Sequence, residues 1–338
     1  MAQHFLLSAE ARTLSLVEIA MMSEEEIFEL FKHIRWSTTN GKPVCPHCGS
    51  MRRPYSITAR RQFRCKDCFH TFSVTSGTLF ASHKKPLKTY LLAIAIFTNS
   101  VKSLSALQLS RDLDVQYKTA WVLSHKIRES LMEHNEDHVF NGVCEIDGVY
   151  IGGKTRQVNQ IVDRIDRRKI THPNKRVVIA LRQRADTGDE SIGSTKTKTF
   201  ILKSENTFDI GQIANNHIEQ GTELHADEST AYDDLHARFD MRRVNHQIEY
   251  RGRHGENNNQ SESYNARFRR MQYGQHHRLS PLYLSNYANE IAYREDTRRW
   301  NNGRITKDIL SKCLNNPISN EFCGYWQGNR RIAERLGA

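Results

Sequence analysis

A chain of 338 residues with 49 lysines and arginines against 38 acids has a formal charge of +11 and a pI near 9.3. Such a balance favours a polyanionic partner, because phosphates neutralised by Lys and Arg release counterions. The length predicts two or three folded units. No run approaches the roughly 18 apolar residues that span a bilayer, and residues 1–22 contain acids and lack the pattern of a signal peptide. Together these features predict an intracellular protein without membrane association, whose seven cysteines are thiol chemistry rather than disulfides.

Residues 1–40 form a helical lead-in from Leu16 to Ile34, in which Ser23 followed by Glu24, Glu25 and Glu26 suits a helix N-terminus. Residues 41–83 hold the tightest motif of the chain. Cys45-Pro-His-Cys48 and Cys65-Lys-Asp-Cys68 are two C-x-x-C knuckles with 16 residues between them, inside the window for a four-thiolate structural zinc site with ligands Cys45, Cys48, Cys65 and Cys68. His47 and His70 are bystanders to that set. Around the knuckles lie Arg52, Arg53, Arg60, Arg61, Arg64 and Lys66, interleaved with Phe63, Phe69 and Phe72. This module has a minimal core and needs its metal to fold. Its basic face predicts a nucleic-acid contact through Arg52, Arg53 and Arg61, with a protein-binding ribbon as the competing reading.

Residues 84–138 turn helical. Leu87, Tyr90, Leu91, Ile94, Ala95 and Thr98 give one apolar face. Ser105 to Trp121 then reads as helix, short turn and helix, with Asp112 to Val115 as the turn and Gln116, Tyr117, Lys118 and Thr119 opening a second helix toward base edges. An ordinary helical hairpin around Trp121 competes with that reading.

Residues 139–297 alternate strands and helices and predict an α/β unit with a mixed sheet. The stretch Cys144-Glu-Ile-Asp-Gly-Val-Tyr-Ile-Gly-Gly-Lys154 puts an acid, Asp147, inside an apolar strand. A carboxylate there costs several kcal/mol, on the order of the desolvation of one ion, unless a cation or hydrogen-bond donors compensate it. Strands at Arg176 to Leu181 and Lys198 to Leu202, an amphipathic helix from Phe208 to Ile218 and a strand from Thr222 to Ala226 follow, and the last runs into Asp227. The loop from Thr155 to Asn174 is an exposed, basic excursion. Beyond a polar loop, Glu262 lies on a helix, with Arg269 seven residues on and so on the same face. Three carboxylates from two strand ends and a helix are the donor set for two divalent ions acting on a phosphodiester. Residues 298–338 form a basic tail that either tracks phosphates or packs as a terminal helix, and Cys144, Cys313 and Cys323 behave as small apolar residues.

These residues carry a resemblance. The two cysteine knuckles, Phe72-Ser-Val-Thr-Ser-Gly-Thr-Leu-Phe80, Tyr117-Lys-Thr-Ala-Trp121, Glu145-Ile-Asp-Gly-Val, His225-Ala-Asp227, the Asn259 to Ser263 block and the Leu284 to Arg294 segment resemble the zinc-ribbon DDE transposases of bacterial insertion sequences, the IS1595 family with its ISXO-type transposase domain. The resemblance implies a ribonuclease-H-like α/β core preceded by the zinc ribbon and a helix-turn-helix-like region. It implies Zn²⁺ in the ribbon and Mg²⁺ or Mn²⁺ at the acids. The implied activity is cleavage of transposon ends and strand transfer into target DNA by an oligomer, in a bacterial cytoplasm at the nucleoid. Asp147 and Asp227 carry over as catalytic metal ligands. For the third position many relatives have Asn followed by a basic residue, and here Asn259 and Glu262 both stand as candidates, with charge favouring Glu262. Asn265 and Ala266 depart from the family pattern in a way that bears on helix packing. Lys118, Arg269 and Arg270 complete the expected DNA contacts. A non-catalytic DNA-binding derivative and a ribonuclease-H-like nuclease are the alternative functions.

Overall fold

A computed structural model describes residues 5–132, 137–153, 160–164, 172–185, 193–244 and 257–337. The chain divides into two compact units, Met1–Leu131 with Arg299–Arg330 and Met132–Arg298 with Arg331–Ala338. Most of the expected Thr155 to Asn174 excursion lies outside the described residues.

In the first unit the helical lead-in is broken in two. Helices α1 (Leu16–Met21) and α2 (Glu24–Arg35) each open with a capping box, Ser15 with Glu18 and Ser23 with Glu26. Each serine hydroxyl accepts the N–H three residues on, while the glutamate accepts the serine's own N–H, so a new helix starts at Ser23 instead of continuing from α1. The ribbon strands β1 (Tyr55–Ile57), β2 (Gln62–Arg64) and β3 (Thr71–Ser73) form an antiparallel sheet. Its small core is completed by the lead-in: Phe63 packs on Phe28 and Trp36 with ring centroids 6.2 and 5.8 Å apart. Phe63 and Phe72 are buried, whereas Phe69 is exposed. Helix α3 (Leu87–Asn99) buries the expected Leu87, Leu91 and Ile94 face. Helices α4 (Ala106–Asp112) and α5 (Tyr117–Ser130) follow, joined by a turn in which Asp114 takes φ 49°, a left-handed conformation that Asp tolerates.

The second unit is built on a mixed sheet of five strands. Strands β4 (Val143–Ile151), β5 (Arg176–Arg184) and β6 (Ser194–Leu202) form an antiparallel meander. Helix α6 (Thr207–His217) then returns the chain to β7 (Glu223–Ala226), parallel to β4, and β8 (Asp240–Arg243) pairs parallel to β7. The order β6-β5-β4-β7-β8 is that of the expected ribonuclease-H-like core. Strand β5 lies inside the sheet and is almost wholly buried, so Val177 to Leu181 reads as a continuous apolar run rather than an alternation. Its Val177, Ile179 and Leu181 join Cys144, Ile146, Ile210 and Ile213 on one face. Val178 and Ala180 join Val149, Tyr264, Phe268 and Ile291 on the other. Each such aliphatic side chain contributes about 1.5–3 kcal/mol on burial. That second face is covered by α7 (Asn259–Met271) and α8 (Leu284–Asp296).

The tail resolves one open alternative. It forms α9 (Asn302–Asn315), which belongs to the first unit and packs on α2, α3 and α5. Among the described residues no helix is long and apolar enough to cross a membrane.

Candidate active site and zinc centre

Asp147 sits in the middle of β4, opposite Ala180 of β5. The period-two pleat puts Glu145, Asp147 and Val149 on the face covered by α7 and α8, and Cys144, Ile146 and Gly148 on the α6 face. Strand β7 runs parallel to β4 and ends one residue before Asp227, at the carboxyl edge where open α/β sheets present ligand groups. Asp227 Oδ1 accepts the Ser229 N–H at 2.9 Å, which fixes its carboxylate. Helix α7 brings Glu262 and, nearly one turn on, Asn265.

The Asn265 side-chain amide donates to Asp147 Oδ2 at 2.7 Å, and the Gly148 N–H donates to Oδ1, also at 2.7 Å. The departure at Asn265 therefore touches the chemistry of the site as well as helix packing. Burial foremost, then the negative charges of Asp227, Glu205 and Glu262, push the Asp147 carboxyl up to about 7, against the opposing pull of the Gly148 N–H. Glu262 is thus one of the charges acting on Asp147, while Asn259 is exposed in the first turn of α7, its N–H donating to Asn257 Oδ1 at 3.3 Å.

Two acids escaped the sequence reading. Glu205 lies between β6 and α6, where it accepts the Tyr232 hydroxyl. Its pKa is raised, by burial first and by the charge of Asp227. A β-carbon at position 148 would lie 3.0 Å from Glu205 Oε1 and from Val177 Cγ2, so the glycine after Asp147 leaves room for this carboxylate. The second is Glu145, fully buried on β4. Its Oε2 accepts the N–H groups of Gln260 and Ser261 at 2.8 and 2.9 Å, and its Oε1 pairs with Arg184 Nε at 2.7 Å. Glu145 therefore holds the N-terminus of α7, and with it Glu262 and Asn265, against the sheet; two N–H groups left over by the helix and the positive end of its dipole both find a carboxylate. Arg184 extends the clamp, donating to the Asn257 carbonyl at 2.6 Å. Deeper under α7, buried Arg182 pairs with buried Glu295 at 3.2 Å and donates to the Gln260 carbonyl.

The acids meet in one electrostatic neighbourhood, yet they do not close into a cage. Among the described residues only Cys45, Cys48, Cys65 and Cys68 have ligand atoms all within 4.8 Å of one another. An all-oxygen, mutually repelling and partly desolvated set fits a hard divalent cation, whose charge would relieve the repulsion that raises Asp147. The cysteines fit zinc more tightly. Cys45 Sγ lies 3.6 Å from Cys68 Sγ and Cys48 Sγ 3.6 Å from Cys65 Sγ, close to the ~3.8 Å edge of a tetrahedron with Zn–S bonds of about 2.3 Å. The N–H groups of Cys68 and Asp67 hold the Cys65 thiol down at about 6, so this sulfur is already biased toward the thiolate that binds metal. His47 and His70 stack on each other, ring centroids 5.0 Å apart.

The expected DNA-contacting residues fall into two groups. Arg52 pairs with Asp67 at 2.6 Å, and Arg61 lies 3.4 Å from Glu24 and 4.0 Å from Glu25, so each offers less free positive field than its sequence context promised. Arg53, Lys118, Arg269 and Arg270 are exposed, with Lys118 Nζ 5.1 Å from the centre of the Trp326 ring.

Comparison with known proteins matches two parts of the chain. Residues 22–71 match a transposase zinc-ribbon domain and residues 139–296 match the ISXO2-like transposase domain. A 143-residue stretch, 41% of the chain, is 32% identical to an uncharacterized protein in transposable element ISH50 of Halobacterium salinarum and covers 46% of that protein. The chain thus spans about half the length of the relative it matches. No solved structure matches significantly. The thiolate tetrahedron falls inside the first match and the acid-bearing mixed sheet inside the second, so the chain carries, in order, a transposase zinc-ribbon domain and an ISXO2-like transposase domain, both of the IS1595 type.

Proposed function

We propose that the chain is a DDE-type transposase that binds the ends of its element as double-stranded DNA, cuts them and joins them to target DNA. The observation that carries this reading is the convergence on Asp147, a carboxyl raised to about 7 by burial and by the charges of Asp227, Glu205 and Glu262, which come from three other segments. In this reading Asp147, Asp227 and Glu262 hold Mg²⁺ or Mn²⁺, with Asn259 as the alternative third ligand. Bound there, divalent ions would lower the pKa of an attacking water and balance charge on the departing oxygen.

The chain's own groups prepare the site. The Asn265 amide and the Gly148 N–H each use one lone pair of an Asp147 oxygen and leave another free for a cation. The Ser229 N–H does the same for Asp227 Oδ1. Glu145 and Arg184 fix the start of α7 so that Glu262 approaches from a rigid helix rather than a loop. In the first unit, the zinc-bearing ribbon and the α4–α5 pair serve as DNA-contacting modules, with Arg53 and Lys118 as the exposed cations. Bringing two ends together requires a homo-oligomer on the DNA.

The test is a cleavage and strand-transfer assay on labelled duplexes carrying the element's terminal repeats, with Mg²⁺ or Mn²⁺, using Asp147→Asn, Asp227→Asn, Glu262→Gln and Asn259→Ala. Joined products lost in both aspartate variants establish the activity, and the last two variants identify the third ligand. Cutting without joining would show a nuclease. Salt-sensitive binding without metal-dependent cutting would show a DNA-binding regulator.

A further inference from the structure

The first unit contains a cavity of about 540 Å³ whose lining includes Tyr90, Tyr325 and Trp326 as aromatic surface and Lys84, Lys118 and Lys126 as cations. This is within the roughly 300–1,000 Å³ range of small-molecule sites.

The aromatic side is built in advance. Gly324 and Gly328, at φ 73° and 107°, flank the single turn Tyr325–Gln327, in a left-handed backbone that strains other residues. Asn329 closes the loop, its N–H on the Gly324 carbonyl at 3.1 Å and its side-chain amide on the Cys323 carbonyl at 2.6 Å. Trp326 Nε1 donates to the Lys118 carbonyl at 3.2 Å, which ties the loop to α5. Tyr325 is backed by Trp121, with ring centroids 4.4 Å apart. Trp326 nevertheless stays 40% exposed as a residue.

The cationic side has two sources. The half-buried Lys126 ammonium donates to the Leu79 carbonyl at 2.8 Å, one of the three bonds an ammonium can give. Burial lowers its pKa, and an anion beside it would reverse that. Helix α5 supplies the other source, since its N-cap Gln116 makes no side-chain capping bond and Gln116, Lys118 and Thr119 all line the cavity. The positive end of a 14-residue helix therefore opens where the lysines gather.

A fixed aromatic face beside ammonium groups and an uncapped helix start matches the two halves of one ligand class: a base that stacks and a phosphate that takes charged and N–H donors. We propose that this cavity binds one unstacked nucleotide, its base against Trp326 and its phosphate toward Lys118, Lys126 and the start of α5. The site deepens the transposase reading and rests on it for the source of the nucleotide, an unpaired position in a DNA strand. A free mononucleotide has the same chemistry, so the test includes it.

The experiment measures binding of the zinc-loaded full chain to a fluorescein-labelled short thymidine strand and to a labelled duplex, with dTMP as competitor. Trp326→Ala is expected to weaken strand binding about tenfold, with Trp326→Phe within about threefold of the unmodified chain because a phenyl ring still stacks. Lys126→Gln is expected to weaken the strand and dTMP alike. A strand at least about tenfold tighter than dTMP assigns the site to DNA, and equal affinities assign it to the free nucleotide. The conservative Trp326→Phe and Lys118→Gln variants keep the test open if Trp326→Ala fails to fold. Strand binding unchanged in Trp326→Ala and Lys126→Gln would overturn the site while leaving duplex binding, and so the transposase reading, intact. A chain that binds neither strand nor duplex would overturn both.

Discussion

Replacing Glu145 by Gln removes the one charge that meets both the first turn of α7 and Arg184. The carboxylate is fully buried and accepts two backbone N–H groups at 2.8 and 2.9 Å besides the Arg184 pair at 2.7 Å. Breaking a buried pair by changing one partner costs ~3–5 kcal/mol. The Arg184 side chain is 20% exposed, so water can partly re-solvate it, and the carbamoyl oxygen of Gln can still accept one N–H. The net expectation is a loss of about 2–4 kcal/mol. For a unit of this size each kcal/mol moves Tm by about 2–4 °C, so thermal unfolding of the full chain should show a drop of about 5–15 °C in the transition of the second unit. Because α7 carries Glu262 and Asn265, Mn²⁺ affinity should fall as well, even at temperatures where the variant remains folded. A Tm within about 2 °C of the unmodified chain, with metal affinity unchanged, would refute the claim that Glu145 positions α7.

Chelating zinc, or replacing Cys48 by Ser, should melt the β1–β3 sheet and expose Phe63 and Phe72; Trp36, which packs on both, should report this as a red shift of its fluorescence, restored by Zn²⁺ in the chelated protein alone. The metal-free native state should hold a proton on Asp147 that the unfolded chain releases near pH 3.9. With the folded value at about 7, stability should therefore fall as pH rises from about 4 to 7 and level off above, and Mn²⁺ affinity should rise through the same upper limit. Glu205→Gln removes one of the charges raising Asp147 and should move the midpoint of that metal-binding profile to lower pH. Asn265→Ala deletes the donor to Asp147 Oδ2; it should cost about 1–2 kcal/mol of stability and raise the pH at which metal binds, as followed by titrations across pH.

Much of this was legible because some chemistry forces its residues into short, local patterns. Four thiolates around one ion demand paired knuckles, and the sequence shows both. An acid in the middle of an apolar strand stands out, as Asp147 does. What stayed hidden depends on long-range partners. Glu145 stands in the same strand as Asp147, but its role as the N-terminal anchor of a helix that begins more than a hundred residues later, through a bond to Gln260 spanning 115 positions, has no local mark. Glu205 precedes a helix, where acids commonly occur for the sake of the dipole, so its approach to Gly148 had no signature of its own. Asn265 was visible as a departure, but only the register of α7 on the sheet turns it toward Asp147. Strand β8, Asp240–Arg243, is short and polar and pairs only because β7 offers it a parallel edge. The helix start at Ser23 was legible in Ser23-Glu-Glu-Glu26, and α2 begins there.

The central claim is that β4, β7 and α7 bring Asp147, Asp227 and Glu262 to one divalent-metal site. Calorimetric and electron-paramagnetic titration of Mn²⁺ into the zinc-loaded chain tests it without any DNA. The account predicts saturable binding that is lost in Asp147→Asn and in Asp227→Asn, weakened in Glu262→Gln and unaffected in Asn259→Ala, all with the fold retained. Binding that persists unchanged in the Asp147→Asn, Asp227→Asn double variant would place the metal elsewhere and contradict the account.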